Sequence, residues 1–507
     1  IKDGWKCRDT TRCVYGCVTG TGLIMDKRKG VIIGGGPAGL TAAWELIKKD
    51  ASVVVFEKYN LVGGIARTEE YKGYRFDIGG HRFFTMVPEV EALWHEWLQD
   101  EFVVRPRKSR ILYQGKFFDY PLRVFNALAG LGLVESIRIV ISYFVAQIFP
   151  HKNEDNFEEW VVNRFGNRLY EIFFQTYTEK VWGIKCTDIR AEWAAQRIKG
   201  LTLPAAVRNA LFPPRGDVIK TLIKEFHYPI LGPGMMWEKV ARLVQEQGGD
   251  VELEAEVTRI LWSDNTVNGV EISGKLETKY VEGTEFYSTM PLNELINRFD
   301  PSPPSLVIEA ANGLRYRDFI TVVLILDIDD VFDDNWIYIH SPDVRVGRIQ
   351  NFKNWSSKMV PDNNTTSLGL EYFCSEGDDL WSLSNDELLE LASVEIARIG
   401  LANRENVLDG VVVRQEKAYP VYDAVYAPLL DTVKEWVQSL TNFHTIGRNG
   451  LHKYNNQDHS MLTAIMAVES AGSGEATDVW EVNTDRSYHE EVRITHNGDE
   501  PVDILEA

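Results

Sequence analysis

Val31-Ile-Ile-Gly-Gly-Gly-Pro-Ala-Gly-Leu-Thr-Ala-Ala-Trp-Glu-Leu46 joins a short apolar run to a glycine-rich turn and a run of helix-forming residues. The pattern predicts a buried strand, a tight turn and a helix. Gly34, Gly36 and Gly39 stand in G-x-G-x-x-G register. The first glycine allows the turn, the second admits a pyrophosphate and the third lets the helix pack on the strand. Because the helix directs free N–H groups at phosphates, we expect dinucleotide contacts from Gly34, Gly36, Pro37, Ala38 and Gly39.

The sequence Ser52-Val-Val-Val-Phe-Glu57 predicts a second strand that ends in an acidic residue. Glu57 stands where a carboxylate binds the ribose hydroxyls of a dinucleotide. A carboxylate disfavours a 2′-phosphate, so the position suits FAD or NAD better than NADP. The alternative is a solvated charge at the end of a strand.

Two glycine pairs follow this acidic residue. One lies in Val62-Gly-Gly-Ile-Ala-Arg67 and the other in Gly73-Tyr-Arg-Phe-Asp-Ile-Gly-Gly-His-Arg-Phe-Phe84. Paired glycines let the backbone lie flat against a cofactor. With these motifs the sequence resembles the FAD-dependent amine oxidase and protoporphyrinogen oxidase superfamily. The resemblance implies a bound FAD and further cofactor contacts from Lys58, Gly63, Gly64, Arg67, Gly79, Gly80, His81 and Val257.

Further motifs are similar to one branch of that superfamily, the UDP-galactopyranose mutases. They are Gly115-Lys-Phe-Phe-Asp-Tyr-Pro121, Tyr177-Thr-Glu-Lys-Val-Trp182, Trp336-Ile-Tyr338 followed by Arg348, and Gly447-Arg448 followed by Tyr454 and Asn456-Gln-Asp-His-Ser460. The resemblance implies catalytic roles for His81, Tyr338, Arg348 and Tyr454. It implies substrate contacts for Tyr120 and Trp336. It also implies cofactor contacts for Gly447, Arg448, Asn456, Gln457, Asp458 and Ser460.

The chemistry of these residues fits a nucleotide sugar. Arg348 offers a planar, permanently charged fork to a diphosphate. Tyr338 and Tyr454 could donate hydroxyls to the same oxygens, and Trp336 could offer an apolar face to a sugar or base. Aromatic residues in a strand are equally typical of a sheet core, and a strand arginine of a solvated surface, so both interpretations stay open.

Two positions depart from the mutase pattern. Gln175 stands where those enzymes carry a second diphosphate-binding arginine, and a neutral amide does not compensate phosphate charge. Arg82 follows the motif histidine in place of an apolar residue, which moves a cation toward the cleft. We include Arg82 and Gln175 among the substrate-site candidates and expect an acidic or glycosyl substrate that differs from the substrate of the mutases.

Two histidines lie within these motifs. His81 could tune the flavin through its backbone carbonyl or carry a proton on its ring. A packed histidine without a chemical role is the alternative. His459 is expected to order the start of a helix.

Two functions fit these motifs. The first is a mutase-like flavoenzyme that acts on a nucleotide-linked or other glycosyl substrate, in which the resemblance implies reduced flavin as the nucleophile and no net redox change. The second is an oxidase, desaturase or dehydrogenase that passes a hydride to flavin and electrons to oxygen or another acceptor. A flavin-binding protein without catalysis is a third, which the polar clusters near the cofactor disfavour.

The composition limits the partners. Lys and Arg total 54 and Asp and Glu total 74, so the formal net charge is −20. Such a chain is repelled by phosphate backbones. We therefore expect a small-molecule substrate and an external reductant or oxygen, and no nucleic acid.

The 5 cysteines are too few for a disulfide framework and favour a reducing, cytoplasmic compartment. Cys7, Cys13 and Cys17 lack the spacing of a metal site, so no metal is expected. A small redox or metal cluster is the alternative if that segment is native.

We predict an α/β fold in which a Rossmann-like FAD-binding domain of the GR2 type is interleaved with a mixed-sheet and helical substrate domain. Residues 1–29 are interpreted as an extension or cloning remnant, because Met25 precedes the first strand as a start codon would. The predicted parts are FAD-binding at 30–101, 232–315 and 431–471, substrate-binding at 102–231 and 316–430, and a polar tail at 472–507.

One apolar stretch, residues 134–150, bears on membranes. Glu135, Arg138 and Gln147 interrupt it, and it is shorter than the roughly 20 residues that cross a bilayer. We expect a buried or amphipathic helix, and no integral membrane insertion.

Overall fold

The computed structural model describes residues 28–120, 122, 124–191, 219–222, 225–274, 278–473, 477–483 and 491–494. Nearly all of the predicted extension, with Cys7, Cys13 and Cys17, lies outside the described residues. So does most of the predicted tail 472–507.

The described residues form strands and helices over the ranges that follow. The strands are β1 Lys29–Ile33, β2 Ser52–Glu57, β3 Thr68–Tyr71, β4 Tyr74–Asp77, β5 Phe102–Pro106, β6 Ser109–Tyr113, β7 Lys116–Asp119, β8 Ile219–Leu222, β9 Glu225–Pro229, β10 Asp250–Leu253, β11 Glu256–Ser263, β12 Thr266–Ser273, β13 Thr278–Glu282, β14 Glu285–Ser288, β15 Phe299–Asp300, β16 Tyr316–Leu326, β17 Trp336–Ile339, β18 Arg348–Asn351, β19 Thr366–Cys374, β20 Val407–Pro420, β21 Phe443–Thr445 and β22 Glu491–Ile494. The helices are α1 Pro37–Ile47, α2 Pro88–Leu98, α3 Val124–Leu131, α4 Leu133–Ile148, α5 Phe157–Phe165, α6 Asn167–Tyr170, α7 Thr176–Trp182, α8 Gly234–Glu246, α9 Leu292–Ile296, α10 Ser305–Gly313, α11 Phe352–Trp355, α12 Asn385–Arg398, α13 Tyr426–Gln438 and α14 Gln457–Ser473.

A parallel sheet of order β10-β2-β1-β14-β21 has the first quoted stretch at its centre. Its side chains alternate between two cores. Ile32 packs with α1, α8 and α14 on one face, whereas Val31 and Ile33 pack with β11, β12, α10 and α13 on the other. A parallel sheet covered on both faces has near-continuous apolar strands, which explains the runs in β1 and β2.

A second, mixed sheet has the order β20-β16-β19-β18-β17-β6-β7. One of its faces packs on α12 around Leu324, Leu370 and Ile396. The segment that contains α3 to α7 forms a separate helical core around Phe157, Trp160 and Phe173. The parallel sheet, the mixed sheet and this helical layer enclose the site described below. The domain boundaries given above stay predictions.

The apolar stretch at residues 134–150 is a helix, α4. Only Ile139 and Ala146 of its residues are buried, so the helix is amphipathic and not buried. No helix within the described ranges is long and apolar enough to cross a membrane.

A buried carboxyl group ties the β3–β4 hairpin to β9. Asp77 accepts hydrogen bonds from the Thr68 hydroxyl at 2.8 Å and from the Tyr228 hydroxyl at 2.5 Å. Burial outweighs both bonds and raises the pKa of Asp77 to about 7. The folded protein therefore holds this proton more tightly than the unfolded chain does.

We expect this proton to make stability pH-dependent. Between about pH 4 and pH 7 the folded state binds more protons than the unfolded state, so the free energy of unfolding falls as the pH rises, by roughly 4 kcal/mol in all. Asp77→Asn should lack this change with pH when the free energy of unfolding is measured in urea at pH 5 and pH 8. The same difference between the two pH values in wild type and variant would contradict the assignment.

Candidate functional site

A cavity of about 800 Å³ lies between the parallel sheet, the mixed sheet and the helical layer. The turns that follow the carboxyl ends of β1, β2, β14 and β21 form one half of its wall. In open α/β sheets this edge is where ligands bind. The other half is formed by β17, β18, β20 and the helices α5 to α7.

The turn after β1 contains close backbone contacts that only glycine allows. Gly34 has φ +105, and its N–H donates to the Phe56 carbonyl at 2.8 Å. A Cβ at Gly39 would lie 1.9 Å from the Gly34 carbonyl oxygen. Gly36 is the N-cap residue of α1, and no side chain caps the helix there. Gly36 and Pro37 both line the cavity. Uncapped N–H groups that face a cavity fit the phosphates of a dinucleotide.

Glu57 lines the cavity at the end of β2. Its carboxylate accepts the Gly35 N–H at 2.7 Å and the Tyr59 N–H at 2.9 Å, which holds it in place. Burial raises the pKa of Glu57. Lys58 and Val257 line the wall close by, which is the arrangement expected around a ribose and an adenine edge.

The first glycine pair meets the turn after β1. Gly63 donates its N–H to the Gly35 carbonyl at 2.8 Å, and a Cβ at Gly36 would lie 3.7 Å from Gly64 Cα. Arg67 donates to the Gly64 carbonyl at 3.0 Å and to Gln415 at 2.7 Å, and both of these partners line the cavity. Gly39, Gly63 and Arg67 thus shape the cavity without lining it.

The motif after β21 supplies a second helix start to the same cavity. Arg448 donates to the Ala418 carbonyl at 2.9 Å and the Asn455 carbonyl at 3.0 Å. The amide Nε2 of Gln457 is buried and has no hydrogen-bond partner among the described residues. It lines the cavity, so it can donate to a bound cofactor. Lining residues of this motif are Gly447, Arg448, Asn456, Gln457, Asp458 and Ser460.

A cluster of aromatic side chains closes the far end of the cavity. Tyr338 lies directly opposite Arg348 in the β17–β18 pair. The Tyr338 ring lies 4.7 Å from the Tyr120 ring and 5.4 Å from the Tyr177 ring, measured between centroids. Tyr454 stacks on Tyr419 at 5.6 Å. Sequence reasoning did not single out Tyr177 and Tyr419 as site residues.

Arg348 is already paired with an acid. Its Nε donates to Glu371 at 2.7 Å, and Gln350 donates to the same carboxylate at 3.0 Å. Glu371 has no exposed surface. Burial alone would lower the pKa of Arg348, but the charge of Glu371 holds it well above its ordinary value. An anion at this site therefore meets a compensated cation. Sequence reasoning missed Glu371, although a single acid in the apolar run Leu368-Gly-Leu-Glu-Tyr-Phe-Cys374 was a usable signal.

His81 lines the cavity between the glycine pair and the aromatic end. Its Nε2 lies 2.8 Å from the Ile78 carbonyl oxygen. Burial lowers the pKa of His81 to about 4, and the charges of Arg448 and Arg348 add to that effect. The ring is therefore neutral at pH 7.

Two of the three remaining substrate-site candidates line the cavity, and the third does not. Trp336 lines the cavity, and Arg82 lines it beside Trp336 with its guanidinium carbon 6.0 Å from the ring centroid. Arg107 lies 5.4 Å from the same ring, so two cations flank this wall. Gln175 belongs to a π-helical turn, Glu171–Gln175, and is not among the lining residues, whereas Phe173 and Phe174 of that turn are.

Comparisons with known proteins agree with this geometry. The NAD(P)-binding Rossmann-like domain family matches residues 32–97. The chain superposes on a crystal structure of reduced UDP-galactopyranose mutase with a TM-score of 0.78 and 22% identity, over 90% of this chain and 98% of that one. It superposes on a putrescine oxidase with a TM-score of 0.58 and 16% identity, over 88% and 99%.

The chain has the fold of the solved UDP-galactopyranose mutase and putrescine oxidase. The resemblance and the α/β fold class inferred from the sequence are confirmed at that level. The residues that match the NAD(P)-binding Rossmann-like family include the glycine turn and Glu57, which line this cavity.

Sequence relatives match part of the chain. A coproporphyrinogen III oxidase of Mycobacterium tuberculosis is 37% identical over 250 residues, which are 44% of this chain and 55% of that protein. A prolycopene isomerase of Arabidopsis thaliana is 37% identical over 292 residues, 51% of this chain and 46% of that protein. The chain thus spans about half the length of the curated relatives it matches.

Proposed function

We propose that the protein is a FAD-dependent enzyme that acts on a glycosyl substrate with an anionic group, such as a nucleotide sugar, with the flavin reduced. The observation that carries this proposal is the aromatic and cationic end of the cavity. There Tyr120, Tyr338 and Tyr454 converge with Arg82 and Arg348 beside the second glycine pair. Aromatic faces and hydroxyls suit a sugar, and arginines suit a phosphate.

The residues of the first half fit FAD. Glu57 offers a carboxylate to ribose hydroxyls, the starts of α1 and α14 offer N–H groups, and Gln457 offers an unpaired amide. When bound and reduced, FAD would supply an electron-rich ring at the aromatic end. The backbone at Gly79 lies close to Arg348 there, since a Cβ at Gly79 would lie 3.6 Å from an Arg348 nitrogen.

The residues of the chain would bind and orient the substrate. The hydroxyls of Tyr338 and Tyr120 can donate hydrogen bonds to it, and the Trp336 ring forms part of the cavity wall. His81 is neutral and can accept or donate a hydrogen bond without adding charge. This proposal includes an external reductant, which would keep the flavin reduced. It also includes a cytoplasmic location, because Cys186 and Cys374 are free, buried thiols.

The Arg348–Glu371 pair favours a second candidate, an oxidoreductase that takes a hydride from an apolar substrate. The compensated charge of Arg348 weakens the case for a diphosphate. An apolar limb of the cavity supports the same candidate. It is lined by Leu122, Phe157, Phe165, Leu169, Phe173 and Phe174. In this case oxygen or another acceptor would receive the electrons.

Two incubations separate these candidates. The purified protein is checked for a yellow flavin spectrum and incubated with UDP-sugars with and without dithionite. Isomerisation only after reduction supports the first candidate. Bleaching of the flavin by an apolar substrate, with peroxide formed in air, supports the second. A colourless protein that FAD does not reconstitute would overturn both.

We expect Arg82→Gln to weaken UDP binding to the flavin-loaded protein by about 1–3 kcal/mol, because it removes a charge from the cavity wall. Arg348 is not used for this test, because its removal leaves the buried Glu371 carboxylate without its counter-charge. Calorimetric titration measures the effect. The control is Arg75→Gln, since Arg75 is paired with Glu70 outside the cavity. Equal affinity of wild type and Arg82→Gln would remove Arg82 from the substrate site.

A further inference from the structure

Helix α4 exposes a continuous apolar face. Ile141 and Phe144 at its centre are 58% and 59% exposed, and Leu133 and Phe149 at its two ends are 77% and 76% exposed. At 1.5 Å per residue the face is about 24 Å long. Its members are Leu133, Val134, Ile137, Val140, Ile141, Phe144, Val145, Ile148 and Phe149.

The polar side chains of α4 hold it to the protein. Glu135 forms an ion pair with Arg168, and the Ser142 hydroxyl accepts the Arg168 N–H at 2.9 Å. Gln147 donates to the Asn163 carbonyl at 2.8 Å. This arrangement is the reverse of an ordinary surface helix, whose apolar stripe faces the core. Because contiguous exposed apolar patches of this kind mark interaction sites, the outer face needs a partner.

The stretch of sequence that contains α4 is basic, whereas the whole chain is acidic. Residues 102–152 contain eight basic and two acidic residues, and the formal net charge of the chain is −20. Two of these cations, Lys108 and Arg110, are paired with Asp333 and Asp334. Lys116, Arg138 and Lys152 are exposed. Glu135 is turned inward to Arg168 and is only 18% exposed. A cationic rim around an apolar face complements an anionic lipid surface.

The apolar limb of the cavity lies on the other side of this helical layer. Phe165 and Leu169, which line it, belong to α5 and α6, and α4 packs against both helices. The contact is close, since a Cβ at Gly166 would lie 2.7 Å from Tyr143 Cα. A surface bound by α4 would therefore lie next to the apolar end of the cavity.

We propose that α4 docks the protein on an anionic phospholipid bilayer, with the helix parallel to the surface and its nine apolar side chains in the headgroup and acyl boundary. A helix of this length is too short to cross the hydrocarbon core but is suited to lie in the interface. A second copy of the chain fits less well. A symmetric dimer through this face would bring together two surfaces that carry the same cations, Lys116, Arg138 and Lys152. The docking is independent of the reaction proposed above.

Vesicle co-sedimentation tests the docking with the full-length flavoprotein. Wild type is expected to sediment with vesicles of phosphatidylcholine and phosphatidylglycerol in equal parts, and less with phosphatidylcholine alone. The triple substitution Ile137→Ser, Ile141→Ser and Phe144→Ser should lower the partition coefficient about a hundredfold. Leu306→Ser is the matched control, because Leu306 is 67% exposed and lies on α10.

Unchanged thermal unfolding and flavin absorbance would establish that the triple variant is folded. If it is not folded, the charge-reversal variant Arg138→Glu replaces it, with weaker binding to the anionic vesicles as the expected result. Wild type that stays in the supernatant with both kinds of vesicle overturns the proposal, as does a folded variant that binds as wild type does. A lipid-free dimer that the triple substitution dissociates would assign the face to a second copy instead.

Discussion

Gly39→Ala is expected to destabilise the protein by about 3 kcal/mol or more and to abolish cofactor binding. The added Cβ would lie 1.9 Å from the Gly34 carbonyl oxygen, which is backbone and has no room to move without separating α1 from β1. Overpacking of a dense core costs about 1–3 kcal/mol when side chains can adjust. A clash with backbone at the centre of the sheet should cost at least the upper part of that range.

Gly36→Ala is the control that separates folding from binding. Gly36 has φ −81, and a Cβ there would meet no protein atom closer than 3.7 Å. The variant should therefore unfold in urea close to wild type, yet lose flavin, because the second glycine of the motif is the one that lets a pyrophosphate approach the backbone. Gly39→Ala with wild-type stability, or Gly36→Ala with full flavin content, would contradict this account of the turn.

Glu371→Gln is expected to destabilise the protein by about 3–5 kcal/mol. The substitution leaves the Arg348 guanidinium buried without a counter-charge, and breaking a buried ion pair from one side is far more costly than removing it whole. Urea unfolding measures the difference. Glu271→Gln, at an exposed pair with Arg259, should change stability by no more than about 0.5 kcal/mol.

The double variant Glu371→Gln with Arg348→Met completes the test. It removes both charges and should recover most of the lost stability, because neutral groups of similar size replace the pair. If the double variant is no more stable than Glu371→Gln, the loss comes from packing around β19 and not from the uncompensated charge of Arg348.

The dinucleotide half of the site was readable from the sequence because its contacts are local. Gly34, Gly36 and Gly39 act through one strand, one turn and one helix, and their spacing alone decides which backbone atoms approach each other. The sequence named Tyr338 and Arg348 as site residues from a motif, and only the structure showed that they pair across two strands. The two residues lie on neighbouring antiparallel strands, so a short separation along the chain brings them together.

The neutralisation of the Arg348 charge by Glu371 depends on which strand lies beside β18. Glu371 is opposite Arg348 only because β19 pairs with β18 in that register, and a shift of one residue would have turned its carboxylate to the other face. Gln175 shows the same limit. Its place in a motif suggested a wall residue, but the π-helical turn brings Phe173 and Phe174 to the cavity.

The sequence by itself determined that a strand, a glycine turn and a helix would form a dinucleotide-binding unit, and it indicated the superfamily fold around that unit. It also marked residues 134–150 as an amphipathic or buried helix. Tertiary structure alone decided that the apolar side of this helix faces outward, since Glu135, Ser142 and Gln147 find their partners on α5, α6 and the adjoining turn. The physical reason is that hydrophobic periodicity identifies the face of a helix, whereas the direction of that face depends on groups distant in the chain.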